Sequence, residues 1–256
     1  MNQATNHPAL LVELLTEELP PHALTRLADS FAQGIRTRLA TRQLLASEDA
    51  TVDIYATPRR LAVRLPGVRA QADSREIQIK GPSVAVGLDA EGQPTKALIK
   101  WAEKQGAEVS ALTRGHDGKQ DVFYWSSTQP GAVLADVIGE IIVETLAQLP
   151  IPKFMTYQLA DGLTTVSFVR PAHRLVVLHG NAVLPCTVLG LAADRITDGH
   201  RFLSSGPITL ENADSYARQL REQGHVEPEY QARRVMIANE LAHASQQNGG
   251  ILAVND

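Results

Sequence analysis

The sequence predicts a mixed α/β protein: a largely antiparallel sheet with packed helices, followed by a helical C-terminal arm. Two observations predict this fold class. Several short runs alternate apolar and polar residues, as half-buried strands do, and several longer segments repeat apolar residues at helical spacing. Near Ile208 the pattern becomes wholly helical. A chain of 256 residues, 44% of them hydrophobic, is long enough to bury a substantial core.

The first predicted strand is the short apolar run at residues 10–15. It ends before two glutamates and two prolines. In the run 61–65, leucine and valine share one face of the strand, while Arg60 and Arg64 share the other. We expect 52–55, 61–65 and 76–80 to be neighbouring half-buried strands with a polar outer face. The further predicted strands are 122–126, 164–169 and 174–178, with a β pattern continuing over 183–191.

Helices are predicted where apolar residues recur every three or four positions. The predicted helices span about 21–39, 95–105, 132–148, 211–223 and 228–247. Pro21 suits the first turn of the first helix, and Gly106 closes the second. This pattern predicts an α/β body over residues 8–206, with an inserted subdomain at about 87–150, and a helical segment over 207–256.

Composition narrows the class of protein. Cys186 is the only cysteine, so an internal disulfide and a cysteine-cluster zinc site are excluded, and a reducing compartment is expected. Its place in an apolar run predicts a small buried side chain. No run approaches the length of a membrane span, and the first ten residues lack the features of a secretory signal. We therefore expect a cytoplasmic protein without a membrane partner.

The sequence offers no complete catalytic or metal-binding set. No G-x-G-x-x-G follows a strand, no G-x-S-x-G elbow occurs, and the glycines of 115–118 are too close for a P-loop. His116-Asp117 is interpreted as an exposed turn, because no further histidine or cysteine accompanies it at metal-ligand spacing. Adjacent Glu17 and Glu18 are interpreted as turn and helix-start charges. We predict no catalytic residue and no metal ligand in this chain.

Charge is distributed unevenly along the chain. The net charge is −4, so the whole surface is not suited to binding nucleic acid. Between Arg59 and Lys80, however, six basic residues accompany two acidic ones. Such an excess favours contact with phosphates or with an acidic protein surface. A solvated strand face remains the alternative.

Six short strings follow one another in a specific order along the chain. They are VELLTEELPP at 12–21, TPRRL at 57–61, KGP at 80–82, LPIPKFM at 149–155, FVRPAH at 168–173 and GHRF at 199–202. In sequence and order they resemble the N-terminal part of the glycyl-tRNA synthetase beta subunit family, of the bacterial heteromeric type. Two positions depart from the family pattern. Leu15 replaces a glycine, and Arg174 replaces a frequent aromatic residue.

The resemblance implies a non-catalytic, partner-dependent role in a glycine-tRNA ligase. In this family the alpha subunit activates glycine with ATP and magnesium, and the beta subunit supports tRNA engagement and assembly of a heterotetramer. The implied partners are therefore the glycyl-tRNA synthetase alpha subunit and tRNA(Gly), with no cofactor in this chain. A hydrolytic editing or phosphohydrolase-type domain and a purely structural scaffold are the alternatives.

Basic residues in or near the strings are the candidates for contact with tRNA or the alpha subunit. They are Arg59, Arg60, Arg64, Lys80, Lys153, Arg170, His173, His200 and Arg201. We expect Arg60 and Arg64 to point outward together from one strand. Structural alternatives are a turn fixed by Arg170, and an ion pair of Arg59 with Asp53 or Glu17.

Overall fold

The computed structural model describes residues 7–47, 49–159 and 161–250. Its helices are α1 (Leu24–Thr41), α2 (Val84–Gly87), α3 (Lys96–Gln105), α4 (Leu134–Ala147), α5 (Tyr216–Glu222) and α6 (Tyr230–Gln247), with short 3-10 turns at Pro21–Ala23 and Val109–Ala111. Its strands are β1 (Leu10–Thr16), β2 (Asp53–Thr57), β3 (Arg60–Leu65), β4 (Arg75–Ser83), β5 (Thr113–His116), β6 (Asp121–Gln129), β7 (Met155–Gln158), β8 (Thr165–Phe168), β9 (Ala172–His179), β10 (Ala182–Val183), β11 (Thr187–Val188), β12 (Leu191–Asp194), β13 (Ile196–Asp198) and β14 (Pro207–Thr209). The predicted mixed α/β class is confirmed.

Contacts group the chain into two compact units. One unit combines Met1–Ala72 with Ala132–Asp256, and the other is Asp73–Gly131. The first contains the main sheet, and the second contains a small antiparallel sheet of order β4-β6-β5. The predicted domains, 8–206 with an insertion at about 87–150 and then 207–256, are not tested by this grouping and stay predictions.

The main sheet has the order β11-β12-β9-β1-β3-β2, with β10 also paired to β9. Central β1 is antiparallel to both β3 and β9, while β12 is parallel to β9. Glu13 of β1 therefore lies between Ala62 of β3 and Val176 of β9. A residue of the central strand has sheet on both sides, so its side chain is buried if that face of the sheet is covered.

One face of the main sheet packs against α1 and α4. Alternate residues of β1, including Val12 and Leu14, contribute to this core together with Phe31 of α1 and Ile138 of α4. The two helices approach closely at Gly34, where an added Cβ would lie 2.6 Å from a methyl carbon of Thr145. Each fully buried large apolar side chain contributes about 1.5–3 kcal/mol, so this layer supplies most of the stability.

The other face of the sheet is also covered, which corrects the predicted polar outer face of 61–65. Leu11, Tyr55 and Ala62 pack there against a second core formed by residues 208–220, including Tyr216. Arg60 consequently lies on a buried face and is only 3% exposed. Alternation in β3 correctly predicted a strand, but it could not reveal that a segment about 150 residues later folds back over it.

The predicted strand 76–80 is confirmed as part of β4, but its expected neighbours are wrong. β4 pairs with β6 in the smaller unit and not with β2 or β3. It also continues through Gly81-Pro82, where the pairing shifts in register. Local alternation specifies a strand but not its partner, because pairing depends on contacts remote in sequence.

The ends of α3 are fixed by the residues expected at a helix start and stop. The Oγ1 of Thr95 accepts a hydrogen bond from the backbone N–H of Leu98, and Gly106 takes a left-handed conformation with φ of 70°. The predicted helices 211–223 and 228–247 are present as the shorter α5 and as α6. Within the described residues, no helix combines the length and apolarity needed to cross a membrane.

Candidate functional site

Strings that are far apart in sequence meet at the C-terminal end of β1. The backbone N–H of Thr16 donates to the carbonyl of Arg59 at 2.8 Å, and that of Glu17 donates to the carbonyl of Pro171 at 2.8 Å. The strings 12–21, 57–61 and 168–173 are therefore joined through their backbones. This junction fixes the direction in which the side chains of Glu17, Arg59 and His173 project.

Glu17 is the acidic centre of this junction. Its Oε1 lies 2.8 Å from Nε2 of His173 and 3.3 Å from a guanidinium nitrogen of Arg59. The hydrogen bond with His173 holds the pKa of Glu17 below its usual value, and the charges of Arg59 and Arg201 act in the same direction. Glu17 is thus ionised at neutral pH, and it positions two basic side chains beside it. Of the two structural partners predicted for Arg59, Glu17 is confirmed, since Asp53 pairs with Arg64.

Arg170 fixes the turn next to this junction, as the structural alternative predicted. It donates to the backbone carbonyls of Glu18 and Val169, each at 2.9 Å. Its guanidinium also lies 3.4 Å from the Sδ of Met155. Lys153 lies two residues before Met155 in an exposed segment. Within the described part of the chain, neither Arg170 nor Lys153 has an acidic partner.

Residues 199–203, here called the 199–203 loop, approach Glu17 from another element. The N–H of His200 donates to the carbonyl of Gly224 at 2.7 Å, and the N–H of Ser204 donates to the carbonyl of His200 at 3.0 Å. Gly199 has no room for a side chain, because an added Cβ would lie 2.5 Å from the Cα of Gly224. These contacts hold the backbone of the loop firmly against the body.

The side chains of the 199–203 loop nevertheless point outward. Arg201 is exposed, and among the described residues it forms no hydrogen bond or ion pair, although its charge acts on Glu17. Phe202 is 83% exposed and Leu203 is 61% exposed. The rings of His200 and Phe202 lie 6.1 Å apart between centroids. A rigid loop therefore carries a cation and an aromatic ring into solvent.

A buried polar network lies beneath the loop. The carboxylate of Glu13, fully buried on β1, accepts hydrogen bonds from the hydroxyls of Thr197 and Tyr216. One guanidinium nitrogen of Arg60 lies 3.8 Å from this carboxylate, and another donates to the backbone carbonyl of Asp198. Arg174 holds the side chain of Asp198 at 2.8 Å. The residue that precedes the loop is thus held at both its carbonyl and its carboxylate.

Burial and charge fix the protonation states in this network. Burial raises the pKa of Tyr216 well above its usual value, and the charge of Glu13 raises it further. Burial alone would lower the pKa of Arg60, but the charge of Glu13 and the contact with Tyr216 raise it overall. Arg60 therefore stays cationic, and Tyr216 stays a neutral hydrogen-bond donor.

The structure brings one group of the predicted site residues together around Glu17. We call this group the basic face; it consists of Arg59, His173 and Arg201, which act on Glu17, of Arg170, which donates to the carbonyl of Glu18, and of His200, which precedes Arg201 in the 199–203 loop. Arg60 is not exposed, so the expectation that Arg60 and Arg64 point outward together is wrong. The reason is the second core that covers their side of the sheet. Arg64 lies at the margin of the second core, where it pairs with Asp53 at 2.6 Å and with Asp214.

Lys80 belongs to the smaller unit, where its ammonium group lies 2.5 Å from Asp117. The carboxylate of Asp117 also accepts the backbone N–H groups of Lys119 and Gln120. The interpretation of His116-Asp117 as an exposed turn is thus only partly correct, because His116 is the last residue of β5 and the side chain of Asp117, in the turn that follows, is only 10% exposed. Within the described ranges, no group of three or more His, Cys, Asp or Glu could hold a metal ion.

Cys186 is only half-buried, which is enough to raise the pKa of its thiol.

Sequence reasoning missed the buried network and the exposed ring. A glutamate within the apolar run LLVELL was the available signal, since a charged residue in a buried strand requires polar partners. No local pattern identified Tyr216 or Thr197 as those partners. The exposure of Phe202 could not be predicted from the sequence either, because residue type alone does not show whether an aromatic side chain in a loop is packed or exposed.

A family model described as glycyl-tRNA synthetase beta subunit matches residues 10–256. The chain is 48% identical over 250 residues to the glycine–tRNA ligase beta subunit of Delftia acidovorans, covering 96% of this chain and 36% of that protein. The beta subunit of Acidovorax ebreus is 46% identical over 257 residues, covering 98% of this chain and 36% of its own length. The beta subunit of Leptothrix cholodnii is 47% identical over 248 residues. The chain thus spans about a third of the length of these relatives.

Proposed function

The chain belongs to the glycyl-tRNA synthetase beta subunit family, and we propose that it uses the basic face to engage tRNA for a glycine-tRNA ligase. One observation carries this proposal. Three strings typical of the family are tied together at the end of β1, and the GHRF string approaches the same carboxylate. Four of the six strings that carry the resemblance, 12–21, 57–61, 168–173 and 199–202, therefore contribute to this face.

The side chains of the basic face suit phosphate. Within the described part of the chain, Arg59, His173 and Arg201 act on the carboxylate of Glu17, and Arg170 donates to the backbone carbonyl of Glu18. Arg201 forms no hydrogen bond with any residue that the structure describes, so its donors are available to a ligand. Contacts of this kind position RNA through its backbone and carry little sequence information.

Partners complete the proposed role. We propose that the alpha subunit binds ATP, magnesium and glycine, that tRNA(Gly) is the RNA, and that the subunits form a heterotetramer in the cytoplasm. The chain itself has no catalytic residue in this proposal. Residues 208–220 pack on the main sheet, so the helical arm predicted for 207–256 is retained in this proposal only for α6, which leads from the body toward the rest of the beta subunit. In support, Val235 and Ile237 of α6 are more than half exposed, as expected of a helix that a partner covers.

Measuring the salt dependence of tRNA(Gly) binding tests the proposed function. Arg201→Ala, on the basic face, and Lys153→Ala, at a further predicted contact residue, remove cations that form no hydrogen bond or ion pair within the described residues, so the fold is expected to survive both substitutions. Each lost phosphate contact lowers the salt slope by about 0.9 unit, so the double variant is expected to lose roughly two. Arg201→Lys keeps the charge and the slope. Arg218→Ala, on α5 and paired with Glu211 and Glu222, is the matched control.

An unchanged salt slope in the double variant, with normal folding, would show that these cations do not bind RNA. If association with the alpha subunit is lost while the slope persists, the basic face is a protein-docking surface. Glycine-dependent pyrophosphate exchange by the chain without alpha subunit would overturn the non-catalytic role. Arg60 is excluded from this test, because its removal would leave Glu13 buried without its cation.

A further inference from the structure

We propose that the 199–203 loop is a stacking platform for an unpaired nucleotide, with the base on Phe202 and the adjoining phosphate at Arg201. The inference rests on the proposed RNA-binding function and specifies the form of RNA that the site accepts. It requires an exposed ring, a fixed loop and a cation beside the ring.

The ring of Phe202 is exposed although the chain has two cores nearby. It is 83% exposed, and it belongs to neither cluster of buried apolar residues. Leu203 beside it is 61% exposed, so the apolar surface is larger than one side chain. Leaving a phenylalanine in water forgoes about 1.5–3 kcal/mol of burial, which a ligand that covers the ring would recover.

The loop that carries the ring is held by contacts at its start and in its middle. Before it, Arg60 and Arg174 hold Asp198, and the buried Glu13 lies 3.8 Å from the guanidinium of Arg60. Within it, the N–H of His200 is tied to Gly224, and the N–H of Phe202 lies 3.2 Å from the Nδ1 of His200. Because the backbone that carries the ring is already held, little backbone entropy is lost when a ligand stacks on the ring.

The cation at the residue before the ring favours a nucleotide over a purely apolar ligand. Arg201 precedes Phe202 in the chain and has no internal hydrogen-bond partner among the described residues, and the ring of His200 lies 6.1 Å from that of Phe202. Proteins that bind single strands combine such cations with exposed aromatic rings, and each stacked base contributes about 1–3 kcal/mol. In an A-form duplex the base faces are covered by neighbouring base pairs, so a duplex offers this ring nothing to stack on.

The test compares a labelled single-stranded RNA of about eight nucleotides with a duplex of the same sequence, each titrated with the chain. Phe202→Ala is expected to weaken binding of the single strand about ten-fold, and to leave duplex binding within about two-fold. The salt slope should not change, because no charge is removed. Phe202→Trp should keep the affinity. Leu163→Ala, at an apolar residue that is 87% exposed on another loop, is the matched control and should bind as the unchanged chain does.

The outcomes separate this inference from the proposed function. If tRNA(Gly) binds with a salt slope that Arg201→Ala reduces, while Phe202→Ala leaves single-strand affinity unchanged, only the stacking inference fails. If the unchanged chain does not bind tRNA, the proposed function fails first. If Phe202→Ala weakens binding of the single strand and of the duplex equally, the stacking inference is wrong. It is also wrong if Phe202→Ala abolishes association with the alpha subunit and leaves the affinity for RNA unchanged. Because Phe202 lies outside both cores, Phe202→Ala should unfold at the same urea concentration as the unchanged chain. A loss of RNA affinity in this variant then reflects the loss of a direct contact with RNA and not unfolding.

Discussion

Glu13 accepts a hydrogen bond from the hydroxyl of Tyr216, although 203 residues separate them in the chain. The bond joins the central strand of the main sheet to α5, which covers the sheet. Glu13 also lies 3.8 Å from the guanidinium of Arg60, which holds the residue preceding the 199–203 loop. The loop that we propose to bind RNA therefore depends on a carboxylate in the core.

Replacing Glu13 by Ala should lower the free energy of unfolding by about 3 kcal/mol or more, because Arg60 would be left as a buried charge without a counter-ion. Tyr216→Phe removes one hydrogen bond and should lower it by about 1–2 kcal/mol. Urea denaturation measures both. Glu17→Ala, at a carboxylate that is 41% exposed, is the control, with an expected loss below about 1 kcal/mol. Equal losses at Glu13 and Glu17 would contradict this account of the network.

Stability should fall at alkaline pH through two buried tyrosines. Burial raises the pKa of Tyr55 to about 12 and that of Tyr216 well above its usual value. A tyrosine in the unfolded chain has a pKa of about 10. A raised folded pKa means that the stabilisation is complete below about pH 10 and is lost as pH rises toward the folded values. Each tyrosine then contributes a slope of up to about 1.4 kcal/mol per pH unit. Urea denaturation from about pH 9 to 11 measures this slope. Tyr55→Phe should flatten the profile, and an identical profile would refute the assignment.

His173→Ala should raise the pKa of the Glu17 carboxyl, because the hydrogen bond from His173 is the largest cause of its lowered value and alanine has no donor to replace it. An NMR titration of the side-chain carboxyl carbons measures the change directly. Asp161 is the internal control. Its pKa is lowered by Thr164 in a separate hairpin, so it should not move. If Glu17 titrates identically in both proteins, the contact with His173 does not persist in solution.

Gly199→Ala should distort the 199–203 loop, because its Cβ would meet the backbone of Gly224 at 2.5 Å. Backbone cannot yield as a flexible side chain does, so the free energy of unfolding should fall by about 1–3 kcal/mol. Affinity for tRNA should fall with it. Gly250→Ala is the control, because the nearest atom to its added Cβ lies 3.9 Å away. Normal stability and RNA affinity in Gly199→Ala would show that the loop is not held by this contact.

Most local structure followed from periodicity. The helix 21–39 is present as a 3-10 turn and α1, and 95–105 is present as α3 with Thr95 and Gly106 at its ends. The strands 10–15 and 61–65 are present as β1 and β3. These elements were predictable because the spacing of apolar side chains and the residues that begin and end a helix are local features of the sequence. The short strands β5, β7, β13 and β14 went unpredicted, since three or four residues carry too little pattern.

The candidate site was predictable in its residues but not in its arrangement. The strings 12–21, 57–61, 168–173 and 199–202 were recognised, and the structural roles of Arg59 and Arg170 were among the stated alternatives. Their meeting around Glu17 was not foreseen, and Arg60 was assigned to the wrong environment. Alternation assigns a residue to one face of a strand. It cannot say whether that face meets water.

By itself the sequence determined the longer helices and strands, the family and the list of candidate basic residues, because each depends on residue types and on their spacing along the chain. The tertiary structure alone decided which of those residues are exposed. Residues 208–220 fold over β3 and bury Arg60 beside Glu13, while the loop just before them leaves Arg201 and Phe202 in solvent. Burial is a property of what packs on a surface, and here the covering segment lies about 150 residues away along the chain.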